Sequence, residues 1–293
     1  MHQPPQTQVP PVYHRRIGDI IVTCVSDGYL DAGITSLQNI EPEEARQILA
    51  ANFRPARRAS VNCFLVHSAG RLALIDTGCG TYLQPSAGQL LNSLHALGVD
   101  PAAIDTVLLT HVHPDHSAGL SDRRSGARYF PNAELVVHHA ELEHWFDDVE
   151  MYRMDEQDRK HFFHCAREQI EPYASVIKTF RGEADIFPGV TSVPLPGHTP
   201  GHSGFMIASG GDGLLILGDI IHVPEIQVTR PEVTMSFDHH PALAASTRRD
   251  IFADVARDRL LVAGMHIDFP GFAHIIEEGD SFRLLPEPWQ YQL

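Results

Sequence analysis

The chain has no pair of cysteines at redox or metal-clip spacing. Its four cysteines, Cys24, Cys63, Cys79 and Cys165, stand far apart with no C-x-x-C among them. They read as small core residues of a reducing compartment. No positively charged start leads into an apolar run, so no signal peptide is read and the cytoplasm is the expected location; a leader already removed would leave the same reading. No apolar run approaches the ~20 residues that span a bilayer. Basic residues are outnumbered, with a formal net charge of −15, which opposes nucleic acid or an anionic membrane as main partner. Local basic spots at Arg54, Arg57 and Arg58 do not overturn that. There is no short-period repeat, low-complexity tract or obvious linker. At 293 residues the chain can bury a sizeable core, and it reads as one domain over residues 13–293 behind a flexible Pro- and Gln-rich arm at 1–12.

What the chain does have is histidine, 19 in all, and four potential metal ligands crowded into Thr110-His111-Val112-His113-Pro114-Asp115-His116. The spacing H-x-H-x-D-H directly follows the apolar, β-branched run Asp105 to Leu109, which reads as a buried strand. Side chains at i and i+2 of an extended segment point the same way, so His111 and His113 can face one ion. Asp115 and His116 fall where strand gives way to loop and can turn toward a second position. Imidazole and carboxylate suit zinc and other first-row divalent ions. Most histidines bind nothing, but a buried cluster of unpaired polar groups would be costly without an ion.

The surrounding pattern places this motif. Ile20 to Val25, Val61 to Val66 and Leu72 to Ile75 read as strands, with a helix over Glu41 to Phe53 and another over Gln89 to Leu97, closed by Gly98. A strand at Glu134 to Val137 precedes a stretch with helical composition over 139–172. Further strands are expected at Val176 to Phe180, Val190 to Leu195, Phe205 to Ala208, Leu214 to Leu217, Leu260 to Ala263 and Phe282 to Leu285, with a long helix over Pro241 to Arg257. Strands grouped at both ends with helices between them predict two packed sheets with helices outside, an α/β (α+β) architecture.

Three later positions repeat one arrangement, a potential ligand in a glycine-rich turn after an apolar run: His198 in Gly197-His198-Thr199-Pro200-Gly201-His202, Asp219 in Gly218-Asp219, and His266 in Gly264-Met265-His266. An early turn, Asp76-Thr77-Gly78-Cys79-Gly80, ends the third strand. Ligands at the ends of several strands converge on one sheet edge, where loops leave room for a ligand.

The set H-x-H-x-D-H, G-H-T-P-G-H, G-D and a late histidine, with an early Asp-Thr-Gly turn, resembles the metallo-β-lactamase superfamily from about Tyr13 to the C-terminus. The resemblance implies a four-layer αββα sandwich with a two-metal site at one edge. It assigns His111, His113 and His198 to one ion, Asp115, His116 and His266 to the other, and Asp219 to a bridge. Asp76 would orient a ligand histidine. Within the superfamily, the segments around Phe237-Asp238, Arg248 to Ala253 and Leu260 to Phe272 are similar to methyl parathion hydrolase and its lactone-cleaving relatives, such as dihydrocoumarin hydrolases. Acyl-homoserine lactonases are more distant members. There a tyrosine three residues after the bridging aspartate contacts the substrate carbonyl; here that position is His222, and in the organophosphate hydrolase it is apolar. Similarity to that hydrolase also places Trp145, Phe162, Phe163 and Phe237 on the substrate pocket, and family habit suggests a homodimer.

These readings predict a metal-dependent hydrolase of a small lactone or aryl ester. Two divalent ions, zinc first with Mn, Fe or Co as alternatives, would share a bridging hydroxide as nucleophile. Asp115, Asp219 and His222 are the catalytic candidates, and phosphotriester hydrolysis is an expected side activity. The alternatives are organophosphate hydrolysis as main activity and a thioester hydrolase of the glyoxalase II type. A flavodiiron protein needs a flavin domain for which there is no length, a nuclease needs a basic channel, and a non-catalytic module would have lost ligands. Gly201-His202-Ser203-Gly204 is not a nucleophile elbow, and His202 reads as a brace for its turn. His138, His139, His144, His161 and His164 have metal-compatible spacing but no comparable carboxylate-and-turn context.

Overall fold

The computed structural model describes residues 4–5, 8–54 and 56–293. Of the expected N-terminal arm, residues 1–3, 6 and 7 lie outside the described residues; the others carry no regular element until Val12, which already belongs to a strand.

Two seven-stranded sheets organise the chain. The first runs, in spatial order, Val12–Ile17, Ile20–Ala32, Arg57–Ser68, Arg71–Ile75, Thr106–Leu108, Glu134–His138 and Ile177–Phe180. Its first four strands are antiparallel neighbours and the rest pair in parallel. The second runs Ser281–Pro286, Phe272–Glu278, Leu261–Ala263, Asp212–Ile216, Ser203–Ser209, Val190–Pro194 and Asp185–Phe187. Only Asp212–Ile216 and Leu261–Ala263 pair in parallel there.

The near-continuous apolar runs follow from burial of both sheet faces. Alternate residues go to opposite sides: Phe64, Ile75, Leu108 and Val136 join Phe205, Ile216, Ala263 and Phe272 in the core between the sheets. Their neighbours Leu65, Leu74, Val107 and Leu135 pack outward against Leu90, Leu94, Phe163 and Ile170 of the helices. On the far side, Leu215, Val262 and Ile275 meet Phe252 and Val255 of the helix Pro241–Arg257. The result is the four-layer helix–sheet–sheet–helix sandwich. The four cysteines are free and buried, and no helix among the described residues is long and apolar enough to cross a membrane.

Three expectations need correction. The strand expected to stop at Val25 continues to Ala32 through a bulge between Ser26 and Gly28. The buried Asp27 carboxylate at this bulge accepts from the backbone N–H groups of Cys79, Gly88 and Leu90 at 2.8, 3.0 and 2.8 Å, which ties the strand to the early glycine turn. Strands Val12–Ile17, Asp185–Phe187 and Phe272–Glu278 had no expected counterpart. The stretch 139–172 is not one helix but a chain of short ones, His139–Trp145, Asp148–Arg153, Glu156–Asp158 and Cys165–Ile170, with a π-helical turn over Arg159–His164. Asp147 and Asp155 start two of them, their carboxylates accepting from Val149 and Asp158 N–H, a preferred role for aspartate.

Candidate metal centre and substrate cavity

Every candidate ligand sits just past a strand, and the strands concerned end on one edge. Thr106–Leu108 leads to His111 and His113, and the single helical turn Pro114–Ser117 carries Asp115 and His116. His198 follows Val190–Pro194, Asp219 follows Asp212–Ile216, and His266 follows Leu261–Ala263. Hydrogen bonds from Ser203 N–H to Thr110 O at 3.0 Å and from Asn62 N–H to Met265 O at 2.9 Å stitch the two sheets together at this edge. The turn before Asp219 requires glycine: Gly218 has a φ of 57°, and a Cβ there would lie 2.4 Å from His202 Nε2.

The donor atoms fall into two groups. His111, His113, His198 and Asp219 offer atoms within 4.8 Å of one another, as do Asp115, His116 and His266. Asp219 touches both groups. Its Oδ1 lies 3.1 Å from His116 Nε2 and 3.3 Å from His266 Nε2, while Oδ2 lies 3.3 Å from His198 Nε2 and 3.7 Å from His111 Nε2. His111 Nε2, His116 Nε2 and Asp219 Oδ1 are buried without any hydrogen-bond partner. Such orphaned atoms are costly in a protein interior, and their convergence on two points fits a pair of cations.

Four of the five candidate ligand histidines have the outer ring nitrogen engaged, which turns the inner one toward the cluster, while His113 Nδ1 lies 2.9 Å from His198 Nε2. His116 Nδ1 lies 2.7 Å from Asp76 Oδ2, and Asp76 also accepts from Thr110 N–H and its hydroxyl, both at 2.8 Å. His198 Nδ1 lies 2.6 Å from Asp238, His266 Nδ1 2.8 Å from Ser60 O, and His111 Nδ1 3.1 Å from the Thr110 hydroxyl. His202 braces its turn: Nδ1–H donates to Leu195 O at 2.7 Å and Nε2 accepts from Asp219 N–H at 2.8 Å.

Two acidic residues that sequence reasoning missed complete the frame. Asp238 holds His198 and also accepts from Met235 N–H. Glu141 is fully buried and accepts from Val112 N–H, Gly201 N–H and the Trp145 indole at 3.0, 2.7 and 2.8 Å. One carboxylate thus clamps both histidine loops and an aromatic side chain. The spacing between Glu141 and Trp145 on one helix was the one local signal for it.

Electrostatics follow the same geometry. Burial and neighbouring imidazoles hold His111 and His113 well below the usual imidazole range, so both are neutral, the form that binds metal. Burial acts against charge on His116 too, but Asp219, Asp115 and Asp76 outweigh it and push its pKa well up. Burial likewise opposes the Asp219 carboxylate, yet the ring of imidazoles holds its pKa well below the usual range. Positive charge is favoured at the same point where the orphaned atoms converge.

A cavity of about 250 Å³ opens on Asp115, Asp219 and His266, with Phe162, Phe237 and His222 on its walls. His222 is 5% exposed, stacks on His266 at 5.6 Å, and has both ring nitrogens without a hydrogen-bond partner although Nε2 lies 3.0 Å from Asp219 Oδ2. A second cavity of about 420 Å³ lies beyond Phe162 and Phe237 and reaches Trp145, His144 and His239.

The pocket aromatics therefore divide. Phe162 and Phe237 line both cavities, and Trp145 borders the second with its ring 2% exposed. Phe163 is a correction: it is fully buried in the helix–sheet core and borders neither cavity. In the π-helical turn the two adjacent rings take opposite directions. Among the other histidines, His161 lines both cavities and His144 the second. His139 pairs with Glu143 at 2.9 Å, His138 caps a helix by accepting from Ala140 N–H, and His164 is exposed.

Known proteins share this architecture. N-acyl homoserine lactonase AiiA of Bacillus thuringiensis subsp. kurstaki is 23% identical over 244 residues, which cover 77% of this chain and 85% of that protein. N-acyl homoserine lactonase AttM of Azorhizobium caulinodans is 28% identical over 127 residues, covering 42% of this chain and 43% of that one. Among solved structures, AbOPH, a hydrolase in the beta lactamase superfamily, superposes with a TM-score of 0.90 at 29% identity, over 97% of this chain and 100% of that chain. AidC, a dizinc quorum-quenching lactonase, has the same TM-score at 24% identity, over 96% and 99% of the two chains. The family model of the metallo-beta-lactamase superfamily matches residues 56–266, most of the chain and all seven candidate ligands, and the protein belongs to that superfamily.

Proposed function

We propose that the protein is a dinuclear metal hydrolase that opens small lactones, with aryl esters as further substrates and phosphotriesters as a side activity. The observation that carries this reading is Asp219, whose two oxygens face the two donor groups from between them. His111, His113 and His198 would hold one divalent ion, Asp115, His116 and His266 the other, and Asp219 both. The imidazole and carboxylate donor set suits zinc first. Bound there, such ions supply a water-derived nucleophile at neutral pH and polarise the scissile carbonyl.

The chain's own residues do the rest. Asp76, Asp238, Ser60 O and Thr110 fix the ring orientations, so the inner nitrogens are set before substrate arrives. Phe162 and Phe237 receive the apolar part of the substrate and exclude water from it. His222 lines the cavity beside Asp219 with both ring nitrogens unengaged, where it would reach the scissile carbonyl. Burial holds its pKa down to about 4, so the ring starts neutral. Its N–H donates to the carbonyl oxygen as negative charge develops; the imidazole then takes up the proton released by the attacking water and passes one to the lactone ring oxygen as the acyl C–O bond breaks. His222 returns to its starting state, the water oxygen ends on the acyl carbon, and the product is the hydroxy acid. N-acyl homoserine lactonases among the relatives favour lactones as the first class to test; by family habit the enzyme works as a homodimer.

A panel of a γ-lactone, an aryl ester, a thioester and a phosphotriester, assayed with metal-loaded protein, tests the reading. The lactone is expected to have the highest kcat/KM. Hydrolysis of the thioester alone would replace this assignment with the glyoxalase II type, and a phosphotriester far ahead of the others would make organophosphate hydrolysis the main activity.

A further inference from the structure

Three arginines in one short stretch have different fates. Arg54 pairs with Glu225 at 2.6 Å and also with Asp268. Arg58 forks onto Asp31 with bonds of 2.7 and 2.8 Å and lies over the Tyr29 ring, 3.9 Å from its centroid. Arg57, between them on the strand Arg57–Ser68, has no carboxylate partner among the described residues. Its one hydrogen bond runs from Nη1 to the Ser36 hydroxyl at 2.6 Å, and its Nε is buried with no partner at all.

Arg57 is on the wall of the cavity that opens on Asp115 and Asp219, and among the described residues it is the sole arginine or lysine there. Its companions Leu30, Ala32, Ala59 and Leu83 are apolar, and the Gln84 amide is already spent on the Asp31 backbone, donating to its carbonyl and accepting from its N–H. Burial works against the guanidinium charge, and the nearby carboxylate that favours it is Asp115, itself a candidate ligand. A half-buried cation that forms no ion pair, on a wall with apolar neighbours, is expensive to maintain unless a ligand completes it. A guanidinium also presents paired N–H donors that match a carboxylate.

We propose that Arg57 is the specificity-determining cation of this cavity and selects lactones and esters that carry a carboxylate on the acyl side. The proposal rests on the hydrolase reading above and names the substrate class within it. The acyl carbonyl faces the ligand cluster, the apolar chain lies along Leu30, Ala59 and Leu83, and the remote carboxylate takes the unpaired donors of Arg57. Arg57 takes no part in bond breaking.

Calorimetric titration of the metal-loaded protein with adipate and with monomethyl adipate tests the assignment. Each compound has one carboxylate for the ligand cluster, and only adipate has a second for Arg57. The wild type is expected to bind adipate at least ~10-fold more tightly, the usual worth of a charged hydrogen bond. Arg57→Gln is expected to lose that preference with unchanged metal content, and Arg57→Lys to keep part of it. Equal binding of the two compounds by the wild type, or a preference that survives in Arg57→Gln, overturns the proposal. If Arg57→Gln fails to fold, the wild-type preference and its reduction in Arg57→Lys decide. Lactone hydrolysis without the adipate preference would sink only the Arg57 assignment. The preference without hydrolysis of any lactone would sink only the hydrolase reading.

Discussion

The floor of the cavity and its aromatic wall are built in opposite ways. On the floor, each ligand side chain sits just past a strand and most are tied by a hydrogen bond on their outer side: His116 to Asp76, His198 to Asp238, His266 to Ser60 O. Glu141 and His202 then lock the loops themselves. On the wall, Phe162 hangs from a π-helical turn and Phe237 from a loop, without polar anchors of their own. The segment behind Phe162 is a series of short helices exposing Phe146, Val149 and Tyr152. Polar anchoring with long-range partners gives fixed ring angles, which metal geometry and charge stabilisation demand. Apolar contact tolerates repacking, so the wall is where substrate preference can change without loss of the chemistry.

The largest effect should come from breaking the floor. Asp219→Ala removes the carboxylate that faces both donor groups, and kcat/KM for a lactone is expected to fall by at least ~10²-fold, as loss of charge stabilisation in such sites does. Near wild-type turnover in this variant would show that the two donor groups work without a shared anion. Next comes His222, on the wall beside Asp219, whose two ring nitrogens have no hydrogen-bond partner. His222→Leu is expected to lower lactone kcat by ~10²-fold, the worth of one positioned proton donor. Phosphotriesters with good leaving groups need no proton and should lose much less. Equal lactone rates in variant and wild type, at equal metal content, would take His222 out of the mechanism.

The adjacent pair Phe162 and Phe163 sharpens the comparison at lower energy. Phe163→Ala empties a core position, so it should lower stability by about 3–5 kcal/mol, measured by denaturant unfolding, with KM for aryl esters unchanged. Phe162→Ala should instead raise that KM, by an amount equivalent to about 1–3 kcal/mol of lost apolar contact, with little change in stability. If the two variants exchange these effects, the placement of the π-helical turn is wrong.

The same contrast explains what the sequence reveals. Most strands, and the strand-end positions of the candidate ligands, were legible because both depend on local signals: apolar runs of strand length ending in glycine turns, with His or Asp at the next position. Asp76, too, stood in such a turn. Asp238 and Glu141 were not legible as clamps, because their partners lie 40 and 60 residues away for His198 and Gly201. Nothing in the local pattern says which distant N–H a buried carboxylate will meet. Adjacent phenylalanines at 162 and 163 look alike in sequence, and only the extra residue of the π turn and the packing of the helical layer separate cavity from core. The breaks at Asp147 and Asp155 did have a local cause in their capping side chains, outweighed in the sequence reading by the helical composition around them.

On the proposed reading, seven side chains from separate loops form two cation sites joined by Asp219. Elemental analysis of protein purified without chelator, paired with a lactone assay before and after metal removal, tests it most directly. About two divalent ions per chain are expected, with hydrolysis lost on chelation and restored by zinc, as in two-metal hydrolases. A metal content near zero with full lactone hydrolysis after chelation would contradict it.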